Sequence, residues 1–366
     1  MANISENLAD NFTFRDLQLN RLSEGERRRV FTLLNDVQRS LLQHIAIEDP
    51  TEPIRQTFRQ KRLTKLMSAV NEILRDGYAG IAKDQKGMLK DLAVMESVNA
   101  QKIVNRTVGI DLLGSLPTAT DLRALVDDVI IEGAPVQDWW SRQAVVTREQ
   151  FRDQMRQGLF LNETNSDLMR RVRGTREARF QNGIMGITRK NADRIVRTST
   201  ASVANAARES TFRANDDVIR GVQALATLDT RTSDICKARS GGAWNLKTGR
   251  PLPQSPVRTR YPGPPPWHWR CRTVLITVLK SFNDLVGAKG KRFDDALEKL
   301  GPGTQTSMDG QVAGDLTFDG WLKKQTVARQ TEALGPGRLK LWQDGKISMT
   351  DLIDQRGRPL TLEQLE

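Results

Sequence analysis

Residues able to do chemistry are scarce in this chain, and they fall together. Of 366 residues two are cysteines, Cys236 and Cys271, and two are histidines. Both cysteines and His268 lie between Leu228 and Leu275, alongside Trp244, Trp267 and Trp269. His268 and Cys271 form His-x-x-Cys, a spacing that brings two side chains to one point in a tight turn. With Cys236 they offer three soft or borderline donors, a set suited to zinc. A closed tetrahedral site needs a fourth ligand, which Asp229, Asp234 or water would have to supply. A Cys/His pair can also make an activated thiolate, but only with an orienting group and an oxyanion pocket, and the sequence displays neither. The reading the residues favour is structural: two thiols and a ring that pin a loop, or a facultative disulfide. The same stretch interleaves Arg258, Arg260, Tyr261, Trp267, Trp269, Arg270 and Arg272. Such a mix stacks on bases and touches phosphates, or stacks Arg on Trp within the protein; the internal use is favoured.

These residues need a frame. Val222–Leu228 is apolar and bounded by polar clusters, and Thr273–Leu279 is rich in β-branched residues, so each predicts a strand. Between them runs a Pro/Gly-rich excursion, and a loop this long in a compact domain is functional or pinned. The Cys/His module therefore spans 221–280 as strand, loop and strand. Everything before it reads as helical. Residues 1–20 show weak periodicity and are expected to be a flexible arm. Ser23 and Glu26 fit a capping box ahead of Val30, Leu34, Val37, Leu41 and Ile45 at helical spacing. Asp49-Pro50 ends that helix. A second helix, through Leu66, Val70 and Leu74, is expected to stop at Asp76-Gly77, and a third runs through Leu89 and Leu92. Thr164 caps a helix with Asp167 three residues on. Thr188 is expected to cap a long helix over about 190–214. Ala192, Val196, Ser199, Val203, Ala206 and Ser210 form its inner face. Arg194, Arg197, Arg208 and Arg213 line its other sides.

The fold class is α+β, mainly helical. An N-terminal helical arm or bundle (1–115) precedes a central helical domain (116–283) that holds the small strand-loop-strand Cys/His module. A turn-rich linker (284–316), with one short helix near Phe293–Leu300, leads to a short helical C-terminal tail (317–366). Trp321, Leu322, Leu334, Leu341, Trp342, Leu352 and Ile353 are the tail's expected core.

The net charge of +12 favours contact with polyanions, because Lys and Arg neutralise phosphates and release counterions. The basic run Arg27, Arg28, Arg29 is one candidate surface, and a solvated face is its plainer reading. No apolar run approaches the ~20 residues a membrane helix needs, so no membrane partner is expected. The N-terminus is polar and mixed in charge, unlike a secretory signal, and a reducing cytosol is the expected setting.

LDTRTSDIC, SGGAW and PPPWHWRCRT together resemble the signature of the phage Mu F-like head morphogenesis family, the minor head proteins. The family's module runs Asp-x-Arg-Thr-x-x-x-Cys, then Gly-x-x-Trp/Phe, then Pro-Pro-x-His-x-x-Cys-Arg-Cys. The matching residues are Asp229, Arg231, Thr232, Cys236, Gly241, Trp244, Pro265, Pro266, His268, Cys271 and Arg272. Thr273 departs from the pattern, since members often carry a further cysteine there, and the change removes the natural fourth ligand. The helix ending IVRTSTASVANAARESTFRAN and the tail from Phe318 are similar to family segments, so the resemblance covers roughly 145–366. It implies a virion protein with no enzymatic activity and no obligatory cofactor. Such a protein acts in head assembly, in the host cytoplasm first and then at the portal or capsid interior, and some members are linked to DNA packaging or ejection. The implied partners are the portal protein, the major capsid or scaffolding protein, and packaged DNA against the basic faces. The competing readings are a virion-delivered Cys/His enzyme and a DNA-binding zinc module.

Overall fold

The computed structural model describes residues 4–51, 56–281, 304–313 and 315–366. The chain is α+β and mainly helical, as its periodicity predicts. The long helices are α1 (Ile4–Glu48), α2 (Gln56–Val108), α4 (Val136–Phe160) and α6 (Ile184–Arg213). Shorter ones are α3 (Ala119–Asp128) and α5 (Asn165–Arg173), and a small hairpin, β1 (Ile130–Ile131) and β2 (Ala134–Pro135), precedes α4. The chain divides into two compact units. One takes Met1–Leu19, Leu92–Leu125 and Ala201–Glu366, and the other takes Asn20–Asp91 and Val126–Thr200.

In the second unit the helical stops read from sequence are partly overturned. α2 runs unbroken through Asp76-Gly77. A Cβ on Gly77 would lie 2.5 Å from Val37 Cγ2, so this glycine admits a close helix–helix approach and ends nothing. Ser23 and Glu26 do not cap: both are buried in the middle of α1, where the Ser23 hydroxyl donates to Asn20 O at 2.9 Å. Thr188 lies inside α6, not at its start, and faces Thr147, whose hydroxyl meets that of Tyr78 at 2.9 Å. Trp140 is buried and donates to Gln85 Oε1, while Gln85 donates to Ser199 Oγ at 3.1 Å. Tyr78, Thr147 and Thr188, and likewise Trp140, Gln85 and Ser199, thus satisfy one another's polar groups inside this helical core. Two signals hold as read: α1 ends at Glu48, before Asp49-Pro50, and Thr164 with Asp167 forms a reciprocal capping box at α5.

In the first unit the expected flexible arm is helix. Leu8, Ala9 and Phe12 of α1 are buried with Ala100 and Val104 of α2 and Phe212 of α6. Phe12 and Phe212 meet edge to face with ring centroids 5.9 Å apart. Arg208, expected on an outer side of α6, is fully buried: it donates to Glu96 Oε1 at 2.7 Å and pairs with Asp16 at 2.7 Å. Sequence periodicity marks an arginine as outward, and two carboxylates from α1 and α2 reverse that here.

A three-stranded antiparallel sheet packs on this core. β3 (Ile219–Leu225) is central, flanked by β4 (Ala243–Asn245) and β5 (Val274–Leu279). Both predicted strands are present, and the excursion between them supplies the third. The linker helix expected near Phe293–Leu300 lies outside the described residues. Within the expected linker, β6 (Thr304–Ser307) and β7 (Gly310–Ala313) form a hairpin that bridges to Leu228 through Ser307. The tail folds as α8 (Phe318–Leu322), α9 (Val327–Leu334), α10 (Pro336–Gln343), a 3-10 turn (Met349–Leu352) and α11 (Leu362–Leu365). Its core gathers Phe318, Trp321, Leu322, Leu334, Leu341 and Leu352 around Leu228.

The close approach at Gly77 has a measurable consequence. Gly80, on the same helix, has nothing within 4 Å of its would-be Cβ. Gly80→Ala should therefore raise unfolding free energy by about 0.5–1 kcal/mol through helix propensity. Gly77→Leu should lower it by about 1–3 kcal/mol by overpacking against Val37, whose χ1 is stiff. Denaturant unfolding of the two variants beside the parent distinguishes these signs.

Candidate functional site

The antiparallel register sets Leu225 opposite Val274, so the chain leaving β3 and the chain entering β5 emerge at one end of the sheet. Asp229 follows β3 and Arg272 precedes β5. There the guanidinium grips the carboxylate with two bonds, at 2.5 and 2.8 Å. Thr232 Oγ1 and the Arg231 backbone N–H also donate to Asp229 Oδ1, at 3.0 and 3.1 Å. Burial alone would push the Asp229 carboxyl up, but Arg272 and Thr232 hold it below the ordinary carboxylate range. Asp229 is therefore committed to closing the loop. Asp234 is committed as well: Lys237 and Arg338 donate to its two oxygens. Neither expected carboxylate is placed as a fourth ligand.

Just beyond the clamp, Ser233 caps the short helix α7 (Asp234–Ala238) by accepting from the Cys236 backbone N–H. This turn aims Cys236 back at the segment from His268 to Thr273. Cys236 Sγ lies 3.1 Å from His268 Nε2 and 3.5 Å from Cys271 Sγ. One ligand atom from each of the three residues falls within 4.8 Å of the others. Both cysteines are free thiols. His268 Nδ1 lies 2.9 Å from the Trp269 carbonyl oxygen, which can only accept, so the ring proton sits on Nδ1. Nε2 meets the Ser233 hydroxyl at 2.8 Å. The hydrogen bond from Cys271, with burial behind it, pushes the Cys236 thiol well up. Burial also pushes at Cys271, but bonds from Cys236 and His268 hold it well below the ordinary thiol range.

Two contacts escaped sequence reading. Ser233 lies between the motif residues, and its place at the start of the short helix Asp234–Ala238 with Cys236 three residues on fits an N-cap. Thr273, read only as a departure from pattern, donates from Oγ1 to Cys236 Sγ at 3.1 Å and is buried. It touches the cluster directly.

The aromatic residues Trp244, Tyr261 and Trp267 of the excursion are used internally, whereas Arg258, Arg260 and Arg270 are exposed. Trp244 is fully buried and donates to Thr259 O at 2.9 Å. Gly242 is required beneath it, since a Cβ there would lie 2.3 Å from the indole. Tyr261 packs on Trp244 at 5.5 Å between ring centroids and donates to Glu209. Arg239 lies over Trp267 at 4.7 Å. The tail docks on α7, where Lys237 donates to Ala333 O and Arg338 reaches both Asp234 and Leu360 O. Arg231 and Arg272 are the exposed members of the motif.

A mainly helical frame carrying a strand-loop-strand element, clamped by an Asp–Arg pair and threaded by two cysteines and a histidine, is the class this site defines. Residues 149–276 match the model of the family described as Phage Mu protein F like protein. The matched segment opens inside α4, takes in α5, α6 and the Cys/His module, and closes in β5. The resemblance carried by the motif is thus shown over this segment. No curated protein and no solved structure matches the chain.

The clamp gives a pH-dependent prediction. Because native Asp229 sits below its unfolded value of about 4, it adds stability above that pH. That stability is lost as pH falls through the native value. Arg272→Gln removes the main opponent of burial, which then outweighs Thr232 and Arg231, so native Asp229 should rise above the unfolded value. The variant should lose about 1.5–3 kcal/mol near neutrality and recover part of it on acidification. Denaturant unfolding from pH 3 to 7 should show this reversed slope, and parallel profiles would exclude it.

Proposed function

We propose that the protein is a minor head protein of a phage, acting in head morphogenesis at the portal or on the capsid interior. The observation that carries this reading is the family match over 149–276. The portal protein is the primary partner, with the major capsid or scaffolding protein beside it. The charge of +12 suits a protein that shares a capsid with packaged DNA. No helix among the described residues is long and apolar enough to cross a membrane. The role is assembly and not catalysis. What supports this is the use of the conspicuous residues: Cys236 is buried and its sulfur is taken up within the loop by His268, Cys271 and Thr273. His268 is oriented by a backbone carbonyl and the aromatics fill the core of the excursion.

Purified virions and portal-containing head intermediates should contain the chain at a few copies each by quantitative mass spectrometry. Deleting its gene should give aberrant or empty heads by electron microscopy. Particles that lack the protein, together with normal heads after deletion, would sink the proposal.

A further inference from the structure

We propose that Cys236, His268 and Cys271 bind one zinc ion through both sulfurs and His268 Nε2, with water as the fourth ligand. This does not depend on the head-assembly reading. The donors are of the right kind: two thiols and an imidazole whose proton is already fixed on Nδ1 by the Trp269 carbonyl. They also fit in size. Ligands about 2.3 Å (sulfur) and about 2.0 Å (nitrogen) from one tetrahedral ion stand about 3.8 Å apart for S···S and about 3.5 Å for S···N. The two separations from Cys236 are 3.5 and 3.1 Å, each within a few tenths of an ångström of those values, and all three ligand atoms lie within 4.8 Å of one another.

The surroundings suit an ion as well. On binding, each thiol gives its proton to solvent, and two thiolates with Zn2+ form a neutral unit, which tolerates burial. Arg239 and Arg272 both lie close enough to interact with the two sulfurs' charge. Thr273 donates to Cys236 Sγ from outside the donor set, the kind of contact that orients a ligand. A cavity lined by Cys236 and His268, with Ser233, Arg231 and Arg270 around them, gives the fourth position room for water. The ion would fasten α7 to the chain entering β5, a few residues from the Asp229–Arg272 clamp.

The test uses the full chain, purified under reducing conditions and stripped with chelator. Zinc should return to one equivalent per chain by elemental analysis after gel filtration. Cobalt should give a sulfur-to-metal charge-transfer band of two-thiolate intensity. Cys236→Ser and Cys271→Ser should each halve that band and weaken zinc by about 100-fold or more, and His268→Ala should weaken it by about tenfold or more. Thr273→Cys places a third sulfur beside Cys236 and should tighten zinc by at least about tenfold while strengthening the band. Circular dichroism identifies any variant that fails to fold, and the parent titration stands without the variants. A reduced parent that takes up neither metal, or serine variants that bind as the parent does, overturns the proposal. So does a parent isolated from heads with Cys236 and Cys271 joined as a disulfide.

Discussion

The arrangement of the module rests on the two-pronged bond between Arg272 and Asp229. Antiparallel pairing of β3 and β5 brings their open ends together, but pairing stops at Leu225 and Val274. Beyond that point only side chains can hold the two strands of the excursion in register. A bidentate guanidinium–carboxylate pair fixes both distance and angle, which a lysine would not. Once Asp229 and Arg272 are joined, the positions of Ser233 and Cys236 on one side, and of His268, Cys271 and Thr273 on the other, follow over a few residues of chain. The sulfur and nitrogen atoms meet because the clamp leaves them little freedom to do otherwise.

The rest of the excursion is held by different physics. Trp244 is fully buried between Ala224, Val257 and the ring of Tyr261, and its indole N–H is spent on Thr259 O. Burial of one large aromatic, worth about 2–3 kcal/mol, thus anchors a loop that has little regular structure. On the far side the tail presses on α7 through Lys237, whose buried ammonium is shared between Asp234 and the Ala333 carbonyl. The short helix that carries Cys236 is therefore braced by the clamp before it and the tail behind it. A five-residue helix has almost no stability of its own, so these braces and not its sequence make it form.

Much of this was legible from residues alone, and the failures share a cause. The strand β5, the Asp49-Pro50 stop and the capping box at Thr164 follow local rules and lie where the sequence puts them, while β3 starts and ends three residues earlier than the expected Val222–Leu228. Gly77, Ser23, Thr188 and Arg208 obey local rules on paper and tertiary ones in the protein. Gly77 has the composition of a stop but serves a contact with Val37, and Ser23 has a cap's spacing but is buried within a helix. Arg208 has the character of a surface residue, yet Glu96, more than a hundred positions away, takes its charge. At the site, the cysteines and histidine announce themselves by rarity. Ser233 and Thr273 do not, because a hydroxyl's role depends on which sulfur or ring the fold sets beside it.

The same distinction governs the charge. The run Arg27-Arg28-Arg29 is a candidate polyanion surface in sequence with a solvated face as its plainer reading, and in the structure Arg27 pairs with Glu24 and Arg29 with Asp84. Arg197 is held by Glu24 and Asp193, and Arg213 by Glu209. Pairing of this kind spends the directed hydrogen bonds of a guanidinium while leaving the net charge of the chain untouched at +12. Attraction at a distance depends on that net charge, whereas reading a groove or a base needs free, aimed donors. Arginines committed in this way would add to attraction for any polyanion, falling with salt, and little to recognition of any particular sequence.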